Sequence, residues 1–353
     1  MQKYLCKNCG AELYWDADAG ALKCEYCGHS YQPSDFGDAS LSEEPIASEE
    51  VDKEYTTTAQ DIGPNMVVYK CTHCNAEVVA DKNTVATVCP YCGSALSITS
   101  KIMGEFRPEV VLPFGINKDK ATQLYKDYIS KTQLTPKEFR SNRVIQKIQG
   151  MYVPYYLTSE VSRGDAIFEC DRIASTRRGY DRIVNHQIYE VNVVGKANFE
   201  NVPSDASQKL DDKFMDSVEP FDYRNLQQFN PGYMAGFIAD NADVDKEEVI
   251  QRNTEKIKKG LTTLLEGEVG HWNAIVLKRL DYKHAKVTHK YAMLPIWIFS
   301  EPYKDKVYTF AVNGVTGKVV GKLPISTSVL LTKFGIATGI AFGLLSIILP
   351  FIA

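Results

Sequence analysis

Gly150–Cys170 reads "GMYVPYYLTSEVSRGDAIFEC". Aromatic and β-branched residues fill its two flanks, and the polar triplet Arg163-Gly164-Asp165 interrupts the middle. Runs of that kind around a glycine predict two strands joined by a turn. Just upstream, "EVVLPFGINKDKATQLYKDYISK" (Glu109–Lys131) predicts a strand and then a helix. Ala121, Leu124, Tyr125, Tyr128 and Ile129 recur at helical spacing and would form one apolar stripe. Thr135, Pro136 and Glu138 match a capping box with Pro at the first helical position.

The same order recurs further on. "YMAGFIADNADVDKEEVIQRNTEKIKKGLTTLL" (Tyr233–Leu265) predicts a strand, a capping box from Asp245 to Glu248, and a helix with the stripe Ile250, Ile257, Leu261 and Leu264. "YAMLPIWIFSEPYKDKVYTFAVNGVTGKVVG" (Tyr291–Gly321) follows, with Met293 and Pro295 answering Tyr152 and Pro154. Its Asn313-Gly314 and Gly317 predict a closing hairpin. Residues 102–326 are therefore expected to form one α+β domain with an internal repeat.

That domain offers little chemistry. Asp240, Asp243 and Asp245 lack the glycine and closing glutamate of a calcium loop and suit helix capping better. His271, His284 and His289 have no metal-ligand spacing, and no phosphate-binding loop, nucleophile elbow or zinc-protease motif is present. Arg177, Arg178 and Arg182 suit a solvated hairpin tip, or a grip on a phosphate or an acidic partner. Nothing here calls for catalysis.

The cysteines carry a stronger signal. Cys6, Cys9, Cys24 and Cys27 form one C-x2-C-x14-C-x2-C set, and Cys71, Cys74, Cys89 and Cys92 form a second on the same spacing. A two-residue gap lets one tight turn aim two thiolates at a single ion, and a short hairpin brings the second pair opposite. Glycine follows three of the four knuckles (Gly10, Gly28, Gly93), and Asn75 follows the other. Two structural zinc ions per chain are expected, in ribbons at 1–32 and 66–101. A redox dithiol would need a βαβ setting that is missing, and a catalytic zinc would keep an open position. With four sulfurs in each set, His29 and His73 read as surface residues, and Cys170 as a small apolar strand residue.

"MQKYLCKNCG" lacks the apolar run of a signal peptide, so a reducing cytoplasmic setting is expected. Residues 33–65 read as an acidic flexible linker, with nine acids against Lys53 in Ser34–Ile62. The net charge is −4 and neither ribbon has a basic cluster, which disfavours a nucleic-acid partner and favours a protein one. Phe334–Ala353, "FGIATGIAFGLLSIILPFIA", is uncharged and long enough for about 30 Å of helix. Residues 327–353 are thus expected to form a single-pass transmembrane helix, with Gly335, Gly339 and Gly343 on a close-packing face. Lys318, Lys322 and Lys333 would keep the N-terminal body in the cytoplasm.

"LPFGINKDKA", "GMYVPYY", "FNPGYMAGF", "MLPIWIF" and "FAVNGVTGKVVGKLP", behind paired ribbons and before a terminal helix, resemble a bacterial family of membrane-anchored zinc-ribbon proteins. Its members carry labels such as general-transcription-factor-type zinc ribbon or primosomal-helicase-like; the helicase label has no ATP-binding loop behind it here. The resemblance implies a membrane anchor for stomatin/flotillin-type scaffolds and phage-shock-type envelope-stress proteins. This chain is expected to depart from some relatives in having only one terminal helix and no cytosolic segment after it. The resulting expectation is a non-enzymatic, tail-anchored adaptor that recruits a cytosolic protein, the alternative being a nucleic-acid-binding ribbon protein.

Overall fold

A computed structural model describes residues 4–36, 66–70, 77–81, 84–88, 95–97, 107–132, 134–141, 147–304 and 306–352. β1 (Leu13–Asp16), β2 (Ala21–Cys24) and β3 (Ser30–Tyr31) make a small antiparallel sheet at the head. Two hairpins follow, β4 (Met66–Lys70) with β5 (Glu77–Asp81) and β6 (Thr84–Val88) with β7 (Ala95–Ser97). The body then runs β8 (Val110–Val111), α1 (Lys118–Ser130), β9 (Gln149–Arg178), β10 (Asp181–Asp205), α2 (Asp212–Val218) and β11 (Gln227–Gln228). It continues with β12 (Ile238–Asp240), α3 (Lys246–Glu268), β13 (Ala274–Tyr303), β14 (Lys306–Asn313), β15 (Val319–Gly321) and α4 (Thr327–Ile352).

β9 and β13 are the spine. They pair antiparallel from Asp171↔Ala274 to Gln149↔Ile298, with Val153 opposite Leu294. β12 adds to β9 in parallel at Met151 and Tyr152, and β8 adds to β13 in parallel at Ala292 and Met293. A local two-fold between Val153 and Leu294 relates these pairings. It also relates Pro154 to Pro295, whose carbonyls accept the N–H groups of Ala206 and Gly314, both at 2.9 Å.

Around the dyad both sheet faces are buried, which explains a run of apolar residues without alternation. One face packs Phe114, Tyr152, Phe237 and Trp297 under α1, with Phe114 stacked on Phe237 at 4.1 Å. The other packs Val153, Tyr155, Leu157, Leu294 and Ile296 with Met215 and Val218 of α2. Asn313, fully buried, ties the closing hairpin to this layer: its Nδ2 donates to the Val218 carbonyl at 3.1 Å, and its Oδ1 accepts from the Val315 and Thr316 amides.

Gly150–Cys170 is not a strand pair. β9 passes straight through Arg163-Gly164-Asp165 and turns only at Gly179, where φ is +68°. Gly164 lies directly opposite Gly195 of β10, and a Cβ at either would stand 2.7 or 2.6 Å from a Leu265 methyl of α3. The glycine pair is a socket for the helix rather than a turn.

The expected fold, α+β with a terminal membrane helix, is corrected on two counts. Sheet dominates, and nearly all of it is antiparallel. Among the described residues no helix is long and apolar enough to cross a membrane. α4 forms over Thr327–Ile352, and its N-terminal half interleaves Thr327, Ser328, Thr332, Lys333 and Thr338 with the apolar residues. Hydroxyls of Thr332 and Thr338 return to the helix's own carbonyls. Single-pass membrane localisation is overturned with the span. A Cβ built on Gly335, Gly339 or Gly343 would meet nothing within 4 Å, so that face packs on no described part of the chain.

Smaller corrections follow packing. α3 buries Val249, Asn253, Ile257, Leu261 and Leu265, leaving Ile250 half-buried and Leu264 exposed. Asn253 replaces an apolar position because its amide donates to the Tyr156 carbonyl and Thr158 hydroxyl, each at 2.9 Å. The capping box at Thr135 does not form: Lys137–Arg140 is a short 3₁₀ turn without a side-chain cap, and Thr135 is buried. Asp245 does cap α3, accepting from the Glu247 amide at 2.9 Å.

The socket is testable. Gly164→Ala should destabilise the protein by about 1–3 kcal/mol, the usual cost of overpacking. Adding Leu265→Ala, which empties the space, should recover part of that loss in a urea-unfolding double-mutant cycle.

Candidate metal centre

Cys6 and Cys9 sit on a turn before β1, while Cys24 ends β2 and Cys27 lies on the turn after it. The two knuckles have the same construction. The amides of Gly10 and Gly28 donate to the carbonyls of Cys6 and Cys24, and both glycines have φ +76°. Antiparallel pairing of β1 with β2, Leu13 opposite Cys24, sets one knuckle across from the other.

All four Sγ atoms lie within 4.8 Å of one another. Cys6–Cys27 and Cys9–Cys27 are 3.4 Å apart and Cys9–Cys24 is 3.5 Å. The thiols are free. Four thiolates about 2.3 Å from a tetrahedral ion stand about 3.8 Å apart, and these three separations lie within a few tenths of an ångström of that spacing. Among the described residues it is the one group of three or more His, Cys, Asp or Glu placed to share a metal. The His29 amide, first among several donors, holds the Cys27 thiol down to about 5, whereas against the pull of the Ala11 amide burial and the neighbouring sulfurs push Cys9 up to about 12. His29 is exposed with Nδ1 3.4 Å from Cys27 Sγ, and the Tyr31 hydroxyl lies 3.5 Å from Cys6 Sγ.

The head is fastened to the body, which the sequence did not disclose. Trp15 donates its amide to the Ala235 carbonyl at 3.2 Å and its indole N–H to the Phe114 carbonyl at 3.3 Å. Its ring meets Tyr233 edge-on at 4.8 Å. Tyr4 donates to Asn230 Oδ1 at 3.1 Å, and Asn117 donates to Asp18 at 2.5 Å. The stretch "FNPGYMAGF" is thus the dock for the ribbon. Glycine is required there: a Cβ on Gly232 would crowd Pro33 and Tyr4, and Gly236, at φ +89°, faces Tyr14.

Cys71, Cys74, Cys89 and Cys92 lie outside the described residues. The strands between them are described, and β6 joins the main sheet by pairing antiparallel with β12. Cys170 is buried with Phe168, Leu261 and Leu265 in the layer under α3, where burial pushes its thiol up.

The remaining candidates have structural partners. Asp240 is buried and paired with Lys209 at 2.9 Å, and Asp243 accepts from the Gln208 amide. His289 is half-buried 3.0 Å from the Thr158 hydroxyl, and burial lowers its pKa; His271 and His284 are exposed. Burial raises Asp205 to about 6 against the opposing pull of Arg252. Arg252 also pairs with Asp212 at 2.5 Å, and Lys256 with Asp216 and Glu219.

Cys24→Ser should therefore remove one metal equivalent, read by elemental analysis after dialysis. It should also shift Trp15 emission as the head loosens from Tyr233. Cys170→Ser should leave the metal count unchanged. Retention of full metal by Cys24→Ser would sink the assignment of these ligands.

No family model matches the chain, and no solved structure matches it. The uncharacterized protein YdjG of Bacillus subtilis (strain 168) is 31% identical over 337 residues, a match covering 95% of this chain and 94% of that protein. With near-complete coverage at that identity, the chain belongs to the family of Bacillus subtilis YdjG.

Proposed function

We propose that the protein is a non-enzymatic adaptor whose ribbon head and sheet body together bind a protein partner. The metal is zinc in a structural role, one ion held by Cys6, Cys9, Cys24 and Cys27 and a second by Cys71, Cys74, Cys89 and Cys92. The observation that carries this reading is the closed sulfur shell on a head anchored to the body. Four thiolates leave zinc no open position for substrate or water, so the ion serves to hold a surface in shape. That surface presents Tyr26, 85% exposed between Cys24 and Cys27, and Leu5, 42% exposed beside Cys6. Aromatic side chains set out in this way serve as contact anchors. Nucleic acid is a poor occupant because the knuckles offer no cluster of Lys or Arg.

The test begins with affinity capture by the full chain, followed by comparison of variants against the partner so found. Tyr26→Ala should leave metal content and thermal stability unchanged and weaken the partner by about tenfold or more, as truncating a hot-spot aromatic does. Cys24→Ser should abolish capture. Partner binding that survives both changes rules out the ribbon as the contact. Duplex DNA should bind no tighter than about 10⁻⁴ to 10⁻⁶ M near physiological salt, the non-specific range. A sequence-specific nanomolar complex would replace the adaptor reading with a nucleic-acid one.

A further inference from the structure

The spine does not end with the body. Beyond the pair Asp171↔Ala274, β9 and β10 run on without β13 to the turn at Gly179. Every residue from 181 to 190 is exposed, among them Ile183, Val184, Ile188 and Tyr189 at 43%, 44%, 65% and 44%. Among the described strands only β9 pairs with β10, so over Asp181–Asn192 the outer edge of β10 offers backbone donors and acceptors that no other described strand takes up. An unpaired edge strand that exposes apolar side chains is a template for another strand. Nothing on this one turns a strand away: Asp181–Asn192 has no proline and no bulge against β9.

We infer that this edge is a homodimer interface, in which β10 pairs antiparallel with β10 of a second copy about a two-fold at His186. The choice of occupant rests on self-complementarity. With His186 on the axis, Arg182 of each copy stands opposite Glu190 of the other. Val184 then meets Ile188 on the same face, Ile183 meets Tyr189 on the opposite face, and Asn185 meets Gln187. Arg182 and Glu190 thus each gain an opposite charge, every exposed apolar residue from 182 to 190 gains an apolar neighbour, and His186, which holds Asp171 at 2.6 Å, faces its own copy on the axis. Directly opposed residues are the pairs that stabilise sheets. Arg182 otherwise has only the Ser175 hydroxyl, at 3.3 Å, and neither it nor Glu190 forms an ion pair among the described residues.

A second register also joins opposite charges, Glu190 with Lys196. It centres on Val193, where Gly195 and Phe199 lie against Leu265 and Gly260 of α3, and would bring two copies of that helix together over the seam. Pairing at His186 uses the part of the arm that extends past β13, so the two bodies stay apart. The contact is isologous and closes on itself, giving a dimer rather than a filament.

The full-length, metal-loaded chain should sediment as a dimer at high micromolar concentration. Arg182→Glu alone and Glu190→Arg alone each place like charges opposite one another and should shift it to monomer. The double variant R182E/E190R should regain the dimer, as should an equimolar mixture of the two single variants. His186→Cys should form an intermolecular disulfide joining position 186 of both copies under mild oxidation, a species absent from the unsubstituted chain. All of these substitutions are at exposed positions, so the fold is retained and checked by circular dichroism. A monomeric unsubstituted chain overturns the inference, and so does a dimer that persists in both single variants. Recovery in the mixture that fails while the double variant succeeds also counts against this register.

Discussion

The pairing of β9 with β13 is the constraint on which the other elements depend. These strands are each 30 residues long, about 100 Å when extended. Near the dyad they are sheathed on both faces by α1 and α2 and flanked by β8 and β12. Farther along only one face is covered, by α3 through Leu261 and Leu265. Past Asp171 no helix or third strand among the described residues packs on them. The sequence follows this decline in burial: an unbroken apolar run around Val153, alternation from Val191 to Phe199, then the polar and basic tip. One pair of strands therefore serves as core, stalk and tip in succession, and composition changes along each strand rather than between domains.

Legibility in the sequence varied with the locality of the cause. The first cysteine set was readable because knuckle geometry is local: spacing and a following glycine determine it, and Gly10 and Gly28 adopt the same φ of +76°. The α1 stripe was readable for a similar reason, since Ala121, Tyr125 and Ile129 face one core. Gly164 was misread because its role depends on Leu265, about a hundred residues away, and on Gly195 across the sheet. The α3 stripe was right at Ile257 and Leu261 but missed its ends, Val249 and Leu265, and Asn253, which looks polar in sequence and becomes a core residue only when Tyr156 and Thr158 supply its partners. For α4, composition alone suggested a membrane span, whereas the described helix leaves Thr332, Lys333 and Thr338 among its apolar residues.

The dock between head and body shows why the ribbon does not behave as a separate bead. Its own core is Tyr4, Cys6, Leu13, Leu22 and Cys24, far too little apolar surface to fold unaided. A metal held by the thiolates is one support. The loop from Asn230 to Phe237 is the other, and it is supported in return: Trp15 packs on Tyr233, and Phe237 joins the stack of Phe114 and Trp297 beneath it. The chain thereby links the cysteine cluster to the dyad core through one loop and two rings. Loss of the ion would free more than the knuckles, because Trp15 holds the Ala235 and Phe114 carbonyls only while β1 stays paired with β2. A metal bound by these thiolates would in this way be coupled to packing at the centre of the sheet.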